Sequence, residues 1–510
     1  MALEWAKTSQ SHDQYEQYDR LPSLLKRFSF FEKMRIASIY SSNAIMFKQN
    51  LKNDKPMVLP WCIETFVMLS MEADEYGDGD FRGKNEQKAI KMFNAIWAAS
   101  SHIIDRQWGN FSFIDIFLPV TGLTQFQRQE IEEIHKYRYL RIFNDNTTPV
   151  FLKDVFRQKM GTDYEDFLLL GEVLEILFYA QSLSNRFSIP RKMLRYLLEE
   201  RFPEAAKMLS ITRTRYVELQ QQYVNNNPDP YKYVYSLRPS FQYPLIEDGD
   251  NIYFPLPHLL LQSVTTSLLY RITEGDNKLR EAMGKHIWEQ YLYDTVRDSG
   301  VYDDVVREQP YRNSKSEKYG PDVLARKGKE VLFLDSKSSV PSTGIRTLDP
   351  IAFERHIAYI GDYINKLARH MWSFQDYSPY GDDASNSIED YWGVVVVLED
   401  TYMPRKHYYN KAQELLGLSE GSEKWQWVVD HIKVASLYQI EKLSLSGESV
   451  IDACKECFVY DPYSIPFSNF RSGTFKTSNI SFLHRMAEYD KRKQQVVDDT
   501  IKAAGFDHKA

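Results

Sequence analysis

Two aspartates and a lysine carry the clearest chemistry in this 510-residue sequence. They lie in Tyr319-Gly320-Pro321-Asp322-Val323-Leu324 and in Val331-Leu332-Phe333-Leu334-Asp335-Ser336-Lys337. Val331–Asp335 reads as an apolar strand, and alternation along a strand sends Asp335 and Lys337, two apart, to the same side. Asp322 heads a second strand, and a tight hairpin through Arg326-Lys327-Gly328-Lys329 brings it beside Asp335. Two close carboxylates repel, and a cation relieves the repulsion. Oxygen ligands of this kind suit Mg²⁺ or Mn²⁺. An ammonium beside such an ion can orient or help deprotonate a water and offset charge on a phosphate. These residue types point to metal-assisted phosphodiester hydrolysis. A bare triplet of acid, any residue and lysine recurs by chance in a chain with 70 Asp and Glu. Context lifts this occurrence: it ends an apolar strand, Pro-Asp sits a hairpin away, and an acidic helix precedes both. The plain alternative is a surface hairpin with a salt bridge between Asp335 and Lys337.

Pro321-Asp322 and Asp335-Ser336-Lys337 match the two halves of the PD-(D/E)xK signature, and the segment resembles that nuclease superfamily, which includes restriction endonucleases and recombination nucleases. The run GPDVLARKGKEVLFLDSK also looks like the nuclease subunits of modified-DNA restriction systems. The resemblance covers about 120–160 residues, with the element order followed over 281–398, and says nothing about residues 1–235. It implies a restriction-endonuclease-like core in the order α-β-β-β-α-β. It also implies a divalent ion held by Asp322, Asp335 and the backbone carbonyl of Ser336, with Lys337 positioning the attacking water. Family members often carry an acid on the first core helix. Glu289, in Gly284-Lys285-His286-Ile287-Trp288-Glu289, is the matching position, and it would complete the site through water or support a second ion. The second core helix often adds a polar or basic group. Glu354, Arg355 and His356 fall near its start without matching a fixed motif. Arg312, Lys315, Lys318, Arg346 and Arg355 would guide a nucleic-acid backbone by charge, without reading bases.

The activity this implies is a divalent-metal-dependent DNA endonuclease of the kind used in bacterial restriction or antiviral defence, where many relatives cut as homodimers. Two other classes stay open. One is a non-catalytic nucleic-acid or protein interaction module on the same scaffold, and the other is an RNase toxin. The three charged groups together favour catalysis, because a scaffold has no need to keep them.

The elements that position these residues follow from periodicity. Glu281–Arg297 reads as a helix, Val301–Glu308 as a strand, and Asp349 as the N-cap of a long helix reaching Trp372. Trp392–Leu398 is a continuous apolar run, the mark of a strand buried on both faces. Trp425–Val429 and Val434–Tyr438 read as further strands. Together they predict an α/β domain with a mixed sheet over 276–445, followed by a helical extension over 446–510 whose tail, Phe482–Ala504, is polar and basic.

Residues 1–235 read as an α-helical domain, from the spacing in Lys88–Ile104, Thr124–Phe143, Tyr164–Leu183 and Arg191–Leu198, with Pro190 placed to start the last. Its role is open, and a protein partner is one use for it. Asn225–Pro230 is a breaker cluster. Residues 236–275 read as a connector: a hairpin, Tyr243–Ile246 and Ile252–Phe254 around an Asp-Gly turn, then a helix over His258–Tyr270.

Composition sets outer limits. At 43% hydrophobic and 26% charged the chain is an ordinary folded protein. No stretch nears ~18 consecutive apolar residues, so no membrane span is expected, and Met1–Lys7 shows no secretory leader. Three cysteines, Cys62, Cys454 and Cys457, fit a reducing cytoplasm. The net charge of −7 argues against coating nucleic acid by bulk charge. Basic excess is local: residues 305–346 carry nine Lys/Arg against five Asp/Glu, and residues 471–510 eight against five. Gly77–Asn85 has the wrong spacing for a phosphate-binding loop. Cys454-x-x-Cys457 lacks the second ligand pair that zinc needs. The 34 tyrosines serve core packing more often than base stacking.

Overall fold

A computed structural model describes residues 18–48, 58, 60–73, 84–107, 132–183, 189–225, 238–273, 275–313, 316–346, 350–374, 387–401, 403–456, 463–465 and 476–505. The chain divides into two compact units that do not follow chain order. One comprises residues 1–116, 153–272 and 488–510, and the other residues 117–152 and 273–487.

The first unit is helical. Its helix Pro60–Glu72 is apolar on every side, and all eleven residues from Trp61 to Met71 are buried, as befits a central helix. The hairpin Leu245–Asp248 and Asn251–Tyr253 forms around the Asp-Gly turn, and Ser210–Thr212 adds a parallel strand to it, making a small mixed sheet. The expected single helix over 258–270 is instead three pieces: a 3₁₀ turn Pro257–Leu259, then Leu260–Ser263 and Thr266–Thr273. Pro257 heads the first piece and has no N–H to donate, and Thr265 Oγ1 donates to the carbonyl of Leu261 at the break. Two cations of the long helix Ile480–Ala503 pair within this unit: Arg492 with Glu165 and Asp166, and Lys493 with Glu172 at 2.8 Å. Part of the basic excess read there is thus neutralised inside the fold.

The second unit is α/β. Its five strands are β1 (Asp304–Arg307), β2 (Val323–Lys327), β3 (Glu330–Lys337), β4 (Asp390–Val397) and β5 (Ile432–Ser436). They lie side by side in the order 1-2-3-4-5. The β1–β2 and β2–β3 pairs are antiparallel, and the β3–β4 and β4–β5 pairs are parallel. The turn between β2 and β3 needs Gly328, whose φ of 61° is left-handed. The continuous valines of β4 are buried because the strand is central and covered on both faces. Helix α1 (Glu289–Asp298) continues a helical segment that begins at Asn277, and helix α2 (Pro350–Trp372) buries Phe353, Ile360, Ile364, Leu367 and Met371 along one stripe. Phe333 of β3 meets Phe374 edge-on at 5.4 Å, which places α2 over the face of β3 that carries residues 333, 335 and 337. Helix α3 (Leu437–Ser446) is tied to α1 by Tyr291, whose hydroxyl donates to Glu441 at 2.6 Å.

Three expectations change here. Trp425–Val429 is not strand but part of a helix, Glu423–His431. Ser422 caps that helix, and Trp425, Val428 and Val429 are buried at i, i+3 and i+4, a helical stripe that β-forming residue types disguised. A hairpin, Pro310–Asn313 and Ser316–Tyr319, intervenes between β1 and β2. The core helix is interrupted by a π turn over Gly284–Trp288. Residues 108–131, 226–237 and 347–349 lie outside the described residues. With them go the start of the Thr124–Phe143 helix, most of the breaker cluster and the Asp349 cap. No helix of the described residues is long and apolar enough to cross a membrane.

Candidate functional site

The register of the sheet brings the two aspartates together. Val323 pairs with Leu334 and Arg307 with Val323, so the next row across the three strands is Glu308, Asp322, Asp335. The Glu308 N–H donates to the Asp322 carbonyl at 3.0 Å, which extends the ladder into that row. Residues opposite one another in antiparallel strands point to the same face. The three carboxylates therefore form a line across the sheet at the ends of its strands. Glu308 was read only as a strand terminus. Its membership follows from strand pairing, which no local pattern reports.

Asp322 is 9% exposed, and its Oδ2 accepts from the backbone N–H of Ser336 at 2.5 Å. That bond clamps the end of β2 to β3 and aims the carboxylate along the row. Lys337 Nζ donates to Asp335 Oδ1 at 2.9 Å and sits 4.3 Å from the centre of the Tyr363 ring on α2. The alternation read from sequence thus holds: Asp335 and Lys337 share a face. Glu289 opens α1 directly after the π turn. That turn brings the helix close to the sheet: a side chain at Gly284 would meet Ser338 Oγ, next to Lys337, at 3.2 Å. A π turn shifts the phase of every later residue, and such turns often sit at functional sites.

Electrostatics set this cluster apart. Burial raises the Glu289 carboxyl to about 8, with Asp322 and Glu308 adding to the rise. Burial, then the charge of Asp335, carries Asp322 well above the ordinary carboxylate range. Glu308 is raised by burial and by Asp335, partly offset by Lys285. Burial opposes the Lys337 ammonium, yet Asp335 and Asp322 outweigh it and hold its proton more tightly than usual. Glu289, Asp322 and Glu308 thus hold their protons more tightly than usual, chiefly because burial penalises the charged form, with Lys337, Lys285 and Arg307 offsetting part of the rise.

A hard divalent cation is the other way to neutralise these carboxyls, and the donor set suits one. Among the described residues no three His, Cys, Asp or Glu side chains form a group that could hold a metal ion. Asp322 and Asp335 would supply two carboxylates, and water the remaining positions, which is the coordination habit of Mg²⁺.

The other expected residues are not part of this cluster. Glu354 and Arg355 are exposed near the start of α2. His356 is buried edge-on against Tyr408 at 5.7 Å, and burial lowers its pKa to about 4, so it is neutral core. Arg312 and Lys318 lie on the inserted hairpin and Arg346 in a short helix, with side chains outside the described set, while Lys315 lies outside the described residues altogether. Cys454 is buried, and Cys457 lies outside the described residues. No family model, curated protein or solved structure matches this chain, so the chemistry of the row rests on its own geometry.

Proposed function

We propose that this protein is a divalent-metal-dependent nuclease of the PD-(D/E)xK type that hydrolyses phosphodiester bonds in DNA. The observation that carries the reading is the carboxylate row: buried Asp322 between half-buried Asp335 and exposed Glu308, with half-buried Glu289 beside them and the Lys337 ammonium paired to Asp335. The strand order 1-2-3-4, with a helix before β1 and another between β3 and β4, agrees with the core that the motif resemblance implies.

In this reading Asp322, Asp335 and the Ser336 carbonyl hold Mg²⁺ or Mn²⁺, and Glu289 and Glu308 support the bound waters. The ion, when bound, supplies Lewis-acid stabilisation of the phosphate. Lys337, steadied by Asp335 and the Tyr363 ring, orients the attacking water and offsets charge on the scissile phosphate. Glu289, with its carboxyl raised to about 8, holds a proton near neutral pH while no ion is bound.

The test is incubation with plasmid DNA, linear DNA and RNA in Mg²⁺, Mn²⁺ or EDTA. DNA cleavage that needs the metal, and that Asp335→Ala and Lys337→Ala each reduce by roughly 10³-fold or more, is the expected outcome. Undiminished cleavage by both variants refutes the assignment, and cleavage of RNA alone moves it to a ribonuclease. A second reading, a binding module on the same scaffold, is favoured by the Lys337–Asp335 pair, which satisfies both groups internally. The unmatched charge on Asp322 and Glu289 weighs the other way.

A further inference from the structure

A second feature of the α/β unit is a cleft of about 550 Å³ lined in part by Arg141, Arg297, Arg307 and Arg485. A space of that size takes a nucleotide-sized ligand. Four guanidiniums face two lining carboxylates, Asp145 and Asp294. The carboxylates are committed. Asp145 Oδ1 accepts from the backbone and hydroxyl of Thr147 at 2.7 and 2.6 Å, folding its charge into its own loop. Asp294 and its neighbour Asp298 are used by Arg141 and Arg297: Arg141 reaches Asp298 at 2.7 Å, and Arg297 reaches Asp294 at 2.9 Å and Asp298 at 2.7 Å. That two-on-two network makes a rigid, nearly neutral wall.

Arg307 differs. It donates to the neutral Oε1 of Gln290 at 2.6 Å and makes no close ion pair among the described residues, although Glu289 and Glu308 feel its charge. It also stacks over the Tyr293 ring, with its carbon 6.0 Å from the ring centre, so its fork is steered and not free to swing. Arg485 lines the same cleft and is exposed. A planar fork held in place outside any close ion pair is the equipment for gripping a phosphate.

The cleft adjoins the carboxylate row by chain neighbourhood. Gln290 follows Glu289 on α1, and Arg307 precedes Glu308 on β1. Successive strand residues face opposite ways, so β1 sends its acid into the row and its guanidinium into the cleft. β1 is the edge strand of the sheet, so a chain of phosphates passing over that edge meets both.

We infer that this arginine-lined cleft binds backbone phosphates of a nucleic-acid strand through Arg307 and Arg485, anchoring the strand whose scissile phosphate lies at the row. The choice of nucleic acid as the ligand rests on the nuclease reading; the preference for phosphate rests on the cleft alone. The test measures binding of a fluorescent 20-base-pair duplex to the full chain in EDTA, where no cleavage occurs. Arg307→Ala/Arg485→Ala should bind at least about tenfold more weakly, and the slope of log affinity against log salt should shrink by about two units. Arg307→Lys/Arg485→Lys should keep the salt slope, because the charge remains, while losing part of the affinity with the fork. Arg195→Ala/Lys207→Ala, which removes the same charge from the exposed surface of the helical unit, should bind as wild type. Unchanged affinity and salt slope in the alanine pair overturn the inference, as does equal weakening by the surface control. Tight binding of a nucleoside monophosphate with none of the duplex also overturns it. The active-site assignment is read separately, from metal-dependent cleavage by Asp335→Ala and Lys337→Ala, so a failed active-site assignment and a failed cleft assignment give different results.

Discussion

The two units each hold acids beside a cation, and they balance the charge in opposite ways. In the helical unit Glu64, 1% exposed in the middle of the central helix, lies 3.0 Å from Arg238 and 3.0 Å from the His258 ring, whose other nitrogen meets Ser41 Oγ at 2.6 Å. One acid is matched by an arginine and a histidine, and the ring uses both of its nitrogens. The order serine, histidine, glutamate invites comparison with a hydrolytic triad, but every member is buried in the packed interior, so it serves the fold. In the α/β unit Glu289, Glu308, Asp322 and Asp335 gather around Lys337, and burial, with their mutual repulsion, raises Glu289, Asp322 and Glu308 above the ordinary carboxylate range. Burial alone does not mark a functional site. Charge left unmatched after folding does, because folding gains nothing from the mismatch and a ligand can.

Breaking each cluster should therefore give opposite results. Glu64→Ala leaves Arg238 buried without its partner and is expected to destabilise the protein by about 3–5 kcal/mol in chemical denaturation. Glu289→Gln should leave stability equal to or above wild type while reducing cleavage. A large loss of stability there would erase the distinction.

A weaker effect is set by pH. The Glu289 carboxyl has an ordinary value of 4.5 and is raised to about 8 in the fold, and Asp322 shifts in the same direction. The folded chain then binds more protons than the unfolded chain between those values, so metal-free stability should fall as pH rises from about 4.5 to 8. Glu289→Gln and Asp322→Asn should each flatten that slope in thermal melts at a series of pH values. Millimolar Mn²⁺ displaces the same protons, so it should raise the melting temperature more at pH 8 than at pH 6. Equal shifts at both pH values would mean that the ion binds elsewhere. The smallest effect is expected at Gly284→Ala. Ser338 Oγ must give by a few tenths of an ångström, and cleavage should drop modestly with little change in melting temperature.

Much of the site was legible because its signals are local. Asp322, Asp335 and Lys337 declare themselves through a short hairpin whose turn glycine fixes the register, so spacing in sequence converts almost directly into distance. Glu308 and the arginine cleft were hidden. Glu308 joins the row only through the β1–β2 pairing across an inserted hairpin, and the cleft gathers residues from positions 141 to 485. Trp425–Val429 misled because aromatic and branched residues suit strands while their burial follows a helical period.

Taken alone, the sequence determined the apolar strands, the helical character of the described part of residues 1–235 and the pair of aspartates held near one lysine. These depend on periodicities of two and 3.6 residues and on turns closed within a few positions. Only the tertiary structure decided which charges cancel. It paired Arg492 and Lys493 of the tail with Glu165, Asp166 and Glu172, matched Glu64 with Arg238, and left Glu289 and Asp322 holding protons more tightly than usual. Charge balance is a sum over neighbours in space, and the chain brings those neighbours from every distance along its length.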